Sequence, residues 1–161
     1  RIDDPSQLGG DLVADTLAAL TEYGAPLVLI DAGTVTTIAA VDRERTYLGG
    51  GILPGIRASA ALLKETAALL PSIELGSGEE ACLGRTSAEA MRCGLLLGSA
   101  MTADGFIACY EALPGMAGAR CVATGGSAEL VCARCRREIL YDPDLTLKGL
   151  RYLYENSRHK R

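Results

Sequence analysis

The chain has 161 residues, 48% of them hydrophobic and 22% charged, with a formal net charge of −4. Length and composition are those of one folded globular domain able to build its own core. With 4% aromatic residues and no Trp, that core must be packed from Leu, Ala, Val and Ile. Polyanion binding needs clustered Lys and Arg to release counterions. The basic groups here, Arg134/Arg136/Arg137 and Arg158/Lys160/Arg161, are short and read as solvated faces or a helix end, so no nucleic-acid partner is expected. No apolar run approaches the roughly 20 residues of a membrane span, and no signal-peptide pattern is seen. The expectation is a cytoplasmic protein with no membrane partner.

In chain order, residues 1–10 form a polar lead-in loop, and DLVADTLAALTEY over Asp11–Tyr23 has helical spacing, with Asp11 as N-cap and Gly24 and Pro26 as the stop. Leu27–Asp31 (LVLID) is a continuous apolar run, as in a strand buried on both faces. Thr34–Val41 is β-branched and reads as a second strand. Tyr47–Leu48 begin a short third strand that runs into Gly49-Gly50-Gly51. Ile56–Leu70 reads as a helix closed by Pro71, Glu74–Arg85 as a loop, and Ser87 to about Leu113 as a long helix. Arg120–Ala123 is a strand, Ser127–Arg137 a helix, Ile139–Tyr141 a strand and Leu145–Asn156 the last helix, ahead of a tail at 157–161. A strand meander followed by alternating strands and helices indicates an α/β layered domain.

Six cysteines raise metal and disulfide readings. Cys132 and Cys135 form one C-x2-C pair, but no second pair stands at zinc-ribbon spacing, and the single His159 lies in the tail. Cys82, Cys93, Cys109 and Cys121 lie in apolar stretches and read as small buried hydrophobes, with all six thiols reduced.

Four segments could carry chemistry. In Asp31-Ala32-Gly33-Thr34-Val35-Thr36-Thr37, a glycine turn between strands can bring backbone N–H groups and Thr hydroxyls to a phosphate. An aspartate at the strand end can hold Mg2+ through water. The same pattern is also that of an ordinary turn. Gly49-Gly50-Gly51-Ile52-Leu53-Pro54-Gly55 marks either a close approach by another group or a loose strand end. Thr124-Gly125-Gly126, between a strand and a helix, lets a nucleotide lie near a helix N-terminus. Asp11, behind Gly9 and Gly10, is either a plain cap or a carboxylate placed to accept a hydroxyl proton during phosphoryl transfer.

Taken together, the order and spacing resemble the type III pantothenate kinases over nearly the whole chain. Gly9-Gly10-Asp11 resembles that family's G-A-D-R-x-x-N-A segment, and Asp31–Thr37 its D-x-G-T-A-T-T turn. YLGGGILPGI over Tyr47–Ile56 resembles L-G-G-x-I-x-P-G, and Thr66-Ala67 with Pro71 resembles T-A-x-L-P. GRTSAEAMRCG over Gly84–Gly94 resembles G-x-N-T-x-E-A-M-x-x-G. Thr124-Gly125-Gly126 and Leu147-Lys148-Gly149-Leu150 resemble its T-G-G and L-x-L-x-G-L endings.

The resemblance implies an α/β lobe of the ribonuclease H-like, actin-like ATPase (ASKHA) class, a mixed sheet flanked by helices. Residues 1–161 would be a single domain, the C-terminal lobe of a two-lobed kinase. The implied activity is ATP-dependent phosphorylation of pantothenate to 4'-phosphopantothenate, the first step toward coenzyme A. Asp11 is then the catalytic base, and Gly9, Gly10, Asp11 and Ser87 face pantothenate. Gly33, Thr34, Thr37, Gly125 and Gly126 contact ATP, and Asp31 holds the metal. The implied cofactors are ATP, Mg2+ and a monovalent cation, K+ or NH4+. The implied assembly is a homodimer, or a partner chain supplying the N-terminal lobe, since no second phosphate turn precedes Asp31; the lobe alone is expected to be inactive. Departures from the family pattern are Leu12 for an arginine, Asp15 for an asparagine, and Ala39 for an acidic residue after the Thr pair. They keep open a catalytically impaired paralogue with a regulatory or structural role, beside another small-molecule kinase of the actin-like fold.

Overall fold

The computed structural model describes residues 4–76 and 82–158. Helix α1 runs over Gly10–Glu22, followed by strands β1 (Leu27–Ala32), β2 (Val35–Val41) and β3 (Tyr47–Pro54), then helices α2 (Ile56–Thr66) and α3 (Ser87–Glu111). Strand β4 (Arg120–Thr124), helix α4 (Ala128–Cys132), strand β5 (Leu140–Tyr141) and helix α5 (Leu145–Arg158) complete it. The five strands form one sheet in the order β3-β2-β1-β4-β5. β1 pairs antiparallel with β2 and parallel with β4; β2–β3 is antiparallel and β4–β5 parallel. This is the expected mixed sheet flanked by helices.

Strand alternation divides the core into two layers. Leu27 and Leu29 of β1, Ala39 and Val41 of β2 and Val122 of β4 pack with Ala18, Ala19 and Leu145 of α1 and α5. Val28, Ile30 and Ala32, with Ile38, Ala40, Cys121 and Ala123, pack with Ala103 and Ile107 of α3 and Ala128 and Val131 of α4. β1 is therefore apolar on both faces, which is why its sequence is a continuous run. α1 and α5 cross so closely that a Cβ on Gly149 would lie 2.0 Å from the Ala14 carbonyl oxygen.

Several boundaries differ from the sequence reading. The N-cap of α1 is Gly9, and Asp11 sits inside the first turn, its Oδ1 accepting from the Leu12 N–H at 2.8 Å. β3 runs eight residues through the glycines, because the close approach there is internal: a Cβ on Gly51 would meet the Phe106 ring at 2.8 Å. α2 stops at Thr66, since Ala67 is extended. α4 has only five residues, and α5 runs two residues further, to Arg158. α3 opens on a capping box, with the Thr86 hydroxyl accepting from the Glu89 N–H and the Glu89 carboxylate accepting from the Thr86 N–H.

α3 is a long helix with one buried side. Its 25 residues reach a mean hydropathy of 1.3 over an 18-residue window, long and apolar enough to cross a bilayer. One side, carrying Met91, Leu96, Ala100, Ala103 and Ile107, is buried, and the helix lies on β1, β2, α2 and α4. Burial against the sheet and its neighbours covers 28% of that window.

The cysteines divide differently from the reading above. Cys121 is buried, but Cys82 and Cys109 are exposed. Cys132 and Cys135 pack at the edge of the α3–α4 layer, where burial pushes their thiols up to about 11 and about 12. Among the described residues, no three His, Cys, Asp or Glu side chains converge on a metal position. His159 lies outside the described residues.

Candidate active site

The same alternation that sorts the core places the polar residues. Asp31 follows Leu27 and Leu29 on the α1 side of β1, at the strand's C-terminal end. The register sets it beside Thr37 of β2 and Thr124 of β4. In-register neighbours share a face, so Asp31, Thr37 and Thr124 form a row beneath the N-terminal half of α1. The first turn of α1 brings Asp11 to this side, and Asp15 follows one turn later.

Three turns close around the row. Gly33 turns β1 into β2, and its N–H is already bonded to the Val35 carbonyl at 3.0 Å. The phosphate donors expected in this turn must therefore come from other groups, of which Thr34 is exposed and Thr37 half-buried. Gly55, after β3, packs directly on it: its N–H bonds to the Thr34 carbonyl at 3.1 Å, and a Cβ there would be 2.4 Å from the Gly33 and Thr34 oxygens. From the other side comes Gly125, with φ +96°, where a Cβ would strike Asp31 Oδ1 at 2.6 Å and the Ala32 carbonyl oxygen at 2.7 Å. Only glycine holds that backbone conformation at that distance. The adjacent Gly126 is exposed. The helix behind them is a single short turn, so little of the expected helix dipole is available at this spot.

The electrostatics of the row are unbalanced. Burial, with the nearby charges of Asp15 and Asp11, pushes the Asp31 carboxyl up to about 6. Asp15 is fully buried, with no hydrogen bond of good geometry to either oxygen; desolvation raises its pKa, a looser contact with the Thr146 hydroxyl of α5 offsets this in part, and the charge of Asp11 adds to it. Three carboxylates on one side, without a basic partner among the groups acting on Asp31, suit a cation or a proton. Among the described residues they do not form a closed set of metal ligands.

Other candidates lie apart. Ser87 is exposed in the first turn of α3, and no described contact joins it to the Asp11–Asp31–Gly125 group. Leu12 packs against the apolar layer between α1 and the sheet. Ala39 is fully buried opposite Leu29, so it is a core position and not part of the phosphate turn. Arg57 and Lys64 of α2 line a cavity of about 570 Å3 with Ser72, Ile73 and Glu74. Sequence reasoning placed Thr124 in the Thr124-Gly125-Gly126 segment without a role of its own and did not assign Asp15 a site role. Asp15 could have been found from its place on the helix stripe shared with Asp11 and Ala18; Thr124's place follows only from register.

A family model described as type III pantothenate kinase matches residues 1–109. The chain belongs to the type III pantothenate kinase family. It is 39% identical over 158 residues to the type III pantothenate kinase of Rubrobacter xylanophilus, covering 96% of this chain and 60% of the relative. It is 41% identical over 153 residues to that of Acidiphilium cryptum, covering 95% and 57%. The chain thus spans about three-fifths of the length of these kinases.

Among solved structures, the fold is similar to a protein from Campylobacter jejuni titled as a conserved Baf family transcriptional activator. There the TM-score is 0.70 at 21% identity, covering 99% of this chain and 70% of that one. It also resembles the activator of 2-hydroxyisocaproyl-CoA dehydratase from Clostridium difficile, solved with bound ADPNP (TM-score 0.58, 13% identity, 93% and 68%). A xylulose kinase from Rhodospirillum rubrum follows at TM-score 0.53, 17% identity, 89% and 40%. These are actin-like ATPase-fold proteins, and the likeness establishes the fold class expected for this lobe.

Proposed function

We propose that this chain forms one wall of the active site of a two-lobed ATP-dependent pantothenate kinase, and that the part of its relatives lying beyond it completes the cleft. The observation that carries this reading is the row of Asp31, Thr37 and Thr124 under the first turns of α1, bounded by the Gly33, Gly55 and Gly125 turns. Phosphoryl transfer is mostly positioning and charge stabilisation, and these turns supply rigid backbone where a polyphosphate could lie.

In this reading Asp11 accepts the proton of the pantothenate hydroxyl as it attacks, a contribution of about 10²–10⁴-fold in rate. Gly9 and Gly10 keep the approach to Asp11 open, with nothing within 4 Å of a Cβ placed on Gly10. Gly33 shapes the phosphate turn, Thr34 and Thr37 donate hydroxyls to phosphate oxygens, and Gly125 and Gly126 let the nucleotide approach the backbone. Bound Mg2+ would neutralise the phosphates, and Asp31 is the residue on this wall suited to hold it. A monovalent cation, K+ or NH4+, belongs to the same proposal without a residue assigned to it. Ser87, exposed and unconnected to its own chain's row, would serve the site of a second copy in a homodimer. Such an enzyme would work in the cytoplasm.

The test is a chimaera in which this chain replaces the matching part of the Rubrobacter xylanophilus kinase, with 31P NMR following ATP and pantothenate. Appearance of a phosphomonoester that requires pantothenate supports the proposal. A folded chimaera that binds ATP and forms no such product refutes it. That result would favour the reading of an impaired paralogue, to which one observation already points: Leu12 is packed into an apolar layer where the family carries an arginine beside the base.

A further inference from the structure

The loop that leads into α3 brings two cysteines together. The Cys93 thiol, in the second turn of α3, donates to the Cys82 carbonyl oxygen at 2.9 Å. The C=O and Cα–C bonds add about 1.2 and 1.5 Å, so the Cys93 sulfur lies within about 6 Å of the Cys82 Cα. The loop between them is anchored to the helix. The Glu89 carboxylate accepts from the Arg85 N–H at 2.8 Å and from the Thr86 N–H at 3.2 Å, and a Cβ on Gly84 would collide with the Ala90 backbone. Cys82 is exposed and Cys93 half-buried.

The other cysteines are placed differently. Cys121 is buried, and burial pushes the Cys132 and Cys135 thiols up to about 11 and about 12, which leaves little thiolate to react near neutral pH. Cys109 is exposed, but it lies sixteen residues further along α3, about 24 Å from Cys93 at 1.5 Å per residue. A disulfide joins cysteines whose Cα atoms are about 4.4–6.8 Å apart, and the anchored loop holds Cys82 to α3 at that scale.

We propose that Cys82 and Cys93 are a redox modification site: a small-molecule disulfide such as oxidised glutathione converts them to an intramolecular disulfide that clips the loop before α3 to the second turn of the helix. Exposed Cys82, as its thiolate, attacks one sulfur of the oxidant, forming a mixed disulfide and releasing one thiol. Cys93 then gives up its proton and attacks the Cys82 sulfur, so that the Sγ–Sγ bond forms and the second thiol leaves. The cysteine pair loses two electrons and two protons, and the oxidant is reduced to two thiols. The ring so closed encloses Thr86, Ser87 and Glu89, so the clip holds the capping box of α3. Its formation does not depend on the kinase reading above, and either can fail while the other stands.

The experiment incubates the folded 161-residue chain, dilute enough to stay free of intermolecular bridges, with oxidised glutathione, then blocks free thiols and reads intact mass and peptides. The expected product is lighter by two hydrogens and carries no glutathione, and dithiothreitol restores both thiols. Cleavage after Lys and Arg and before Asp104 separates Cys93 from Cys109, so the peptide of residues 65–85 should be joined to that of residues 93–103. Cys82→Ser and Cys93→Ser should each lose this link. A folded native chain that gains glutathione and forms no such link overturns the proposal. So does a chain whose residues 65–85 are joined to 104–120 instead, and both results are read on the native chain whether or not the variants fold.

Discussion

Replacing Gly149 with alanine tests the packing that holds α1, and with it Asp11 and Asp15, over the sheet. In an exposed helix interior this change is favourable by about 1 kcal/mol, because Ala loses less backbone entropy than Gly. At position 149 the added Cβ would lie 2.0 Å from the Ala14 oxygen and 2.3 Å from its carbonyl carbon. Both obstacles are backbone atoms of the facing helix, so no side chain can rotate away. The helices must separate by more than 1 Å, loosening the Ala18, Ala19 and Leu145 layer. Overpacking of this kind costs about 1–3 kcal/mol, and a backbone-on-backbone clash belongs at the upper end. Net of the propensity gain, the expected loss is about 2 kcal/mol, or about 4–8 °C in Tm for a chain of this size. Urea denaturation of both proteins measures it. Gly105→Ala in α3, where nothing lies within 4 Å, is the matched control and should be neutral to stabilising. A Gly149→Ala protein as stable as its parent would refute the close crossing.

Gly125→Ala forces a left-handed backbone and a clash with Asp31 and Ala32; it should cost about 1–3 kcal/mol and weaken ATP binding by the chimaera, read by calorimetry. Asp31 is protonated more readily in the folded state than unfolded, with its carboxyl raised from 3.8 to about 6. Between those values the folded state binds more protons, so its contribution to stability falls as pH rises through this window. Asp31→Asn should flatten the dependence and be more stable at pH 7. The full shift is worth about 3 kcal/mol, and screening at this half-buried, coupled site reduces the expected gain to about 1–2 kcal/mol. Urea denaturation from pH 4 to 7 compares the two proteins. Burial alone would raise the Asp142 carboxyl, but Lys148 and Tyr23 outweigh it and hold it below its ordinary value. Lys148→Met should therefore destabilise the chain at pH 7, a loss that fades as pH falls and Asp142 protonates.

Element order was legible in the sequence because each element carries its own periodicity: LVLID can only be a strand buried twice over, and α3 a long covering helix. Boundaries were less so, since α2 ends without a glycine or proline and Asp11 looks like a cap two residues from the glycine that is one. The glycines of β3 pointed to a close approach but not to what approaches, and Phe106 is far away in the chain. Gly33, Thr37, Gly125 and Asp11 could be singled out by motif, and the sheet does gather them at one end. What no local pattern contains is register: Thr124 beside Asp31, and Asp15 sealed by α5, are long-range outcomes. Ser87 carries a motif, but its side chain lies exposed in the first turn of α3.

The central claim is that Asp11 serves as the base of a phosphoryl transfer, and the direct measurement is steady-state kinetics of the chimaera with and without Asp11→Asn. A fall in kcat of about 10²–10⁴ with KM for pantothenate nearly unchanged is the expected result. An Asp11→Asn enzyme within a few-fold of its parent in kcat would contradict it.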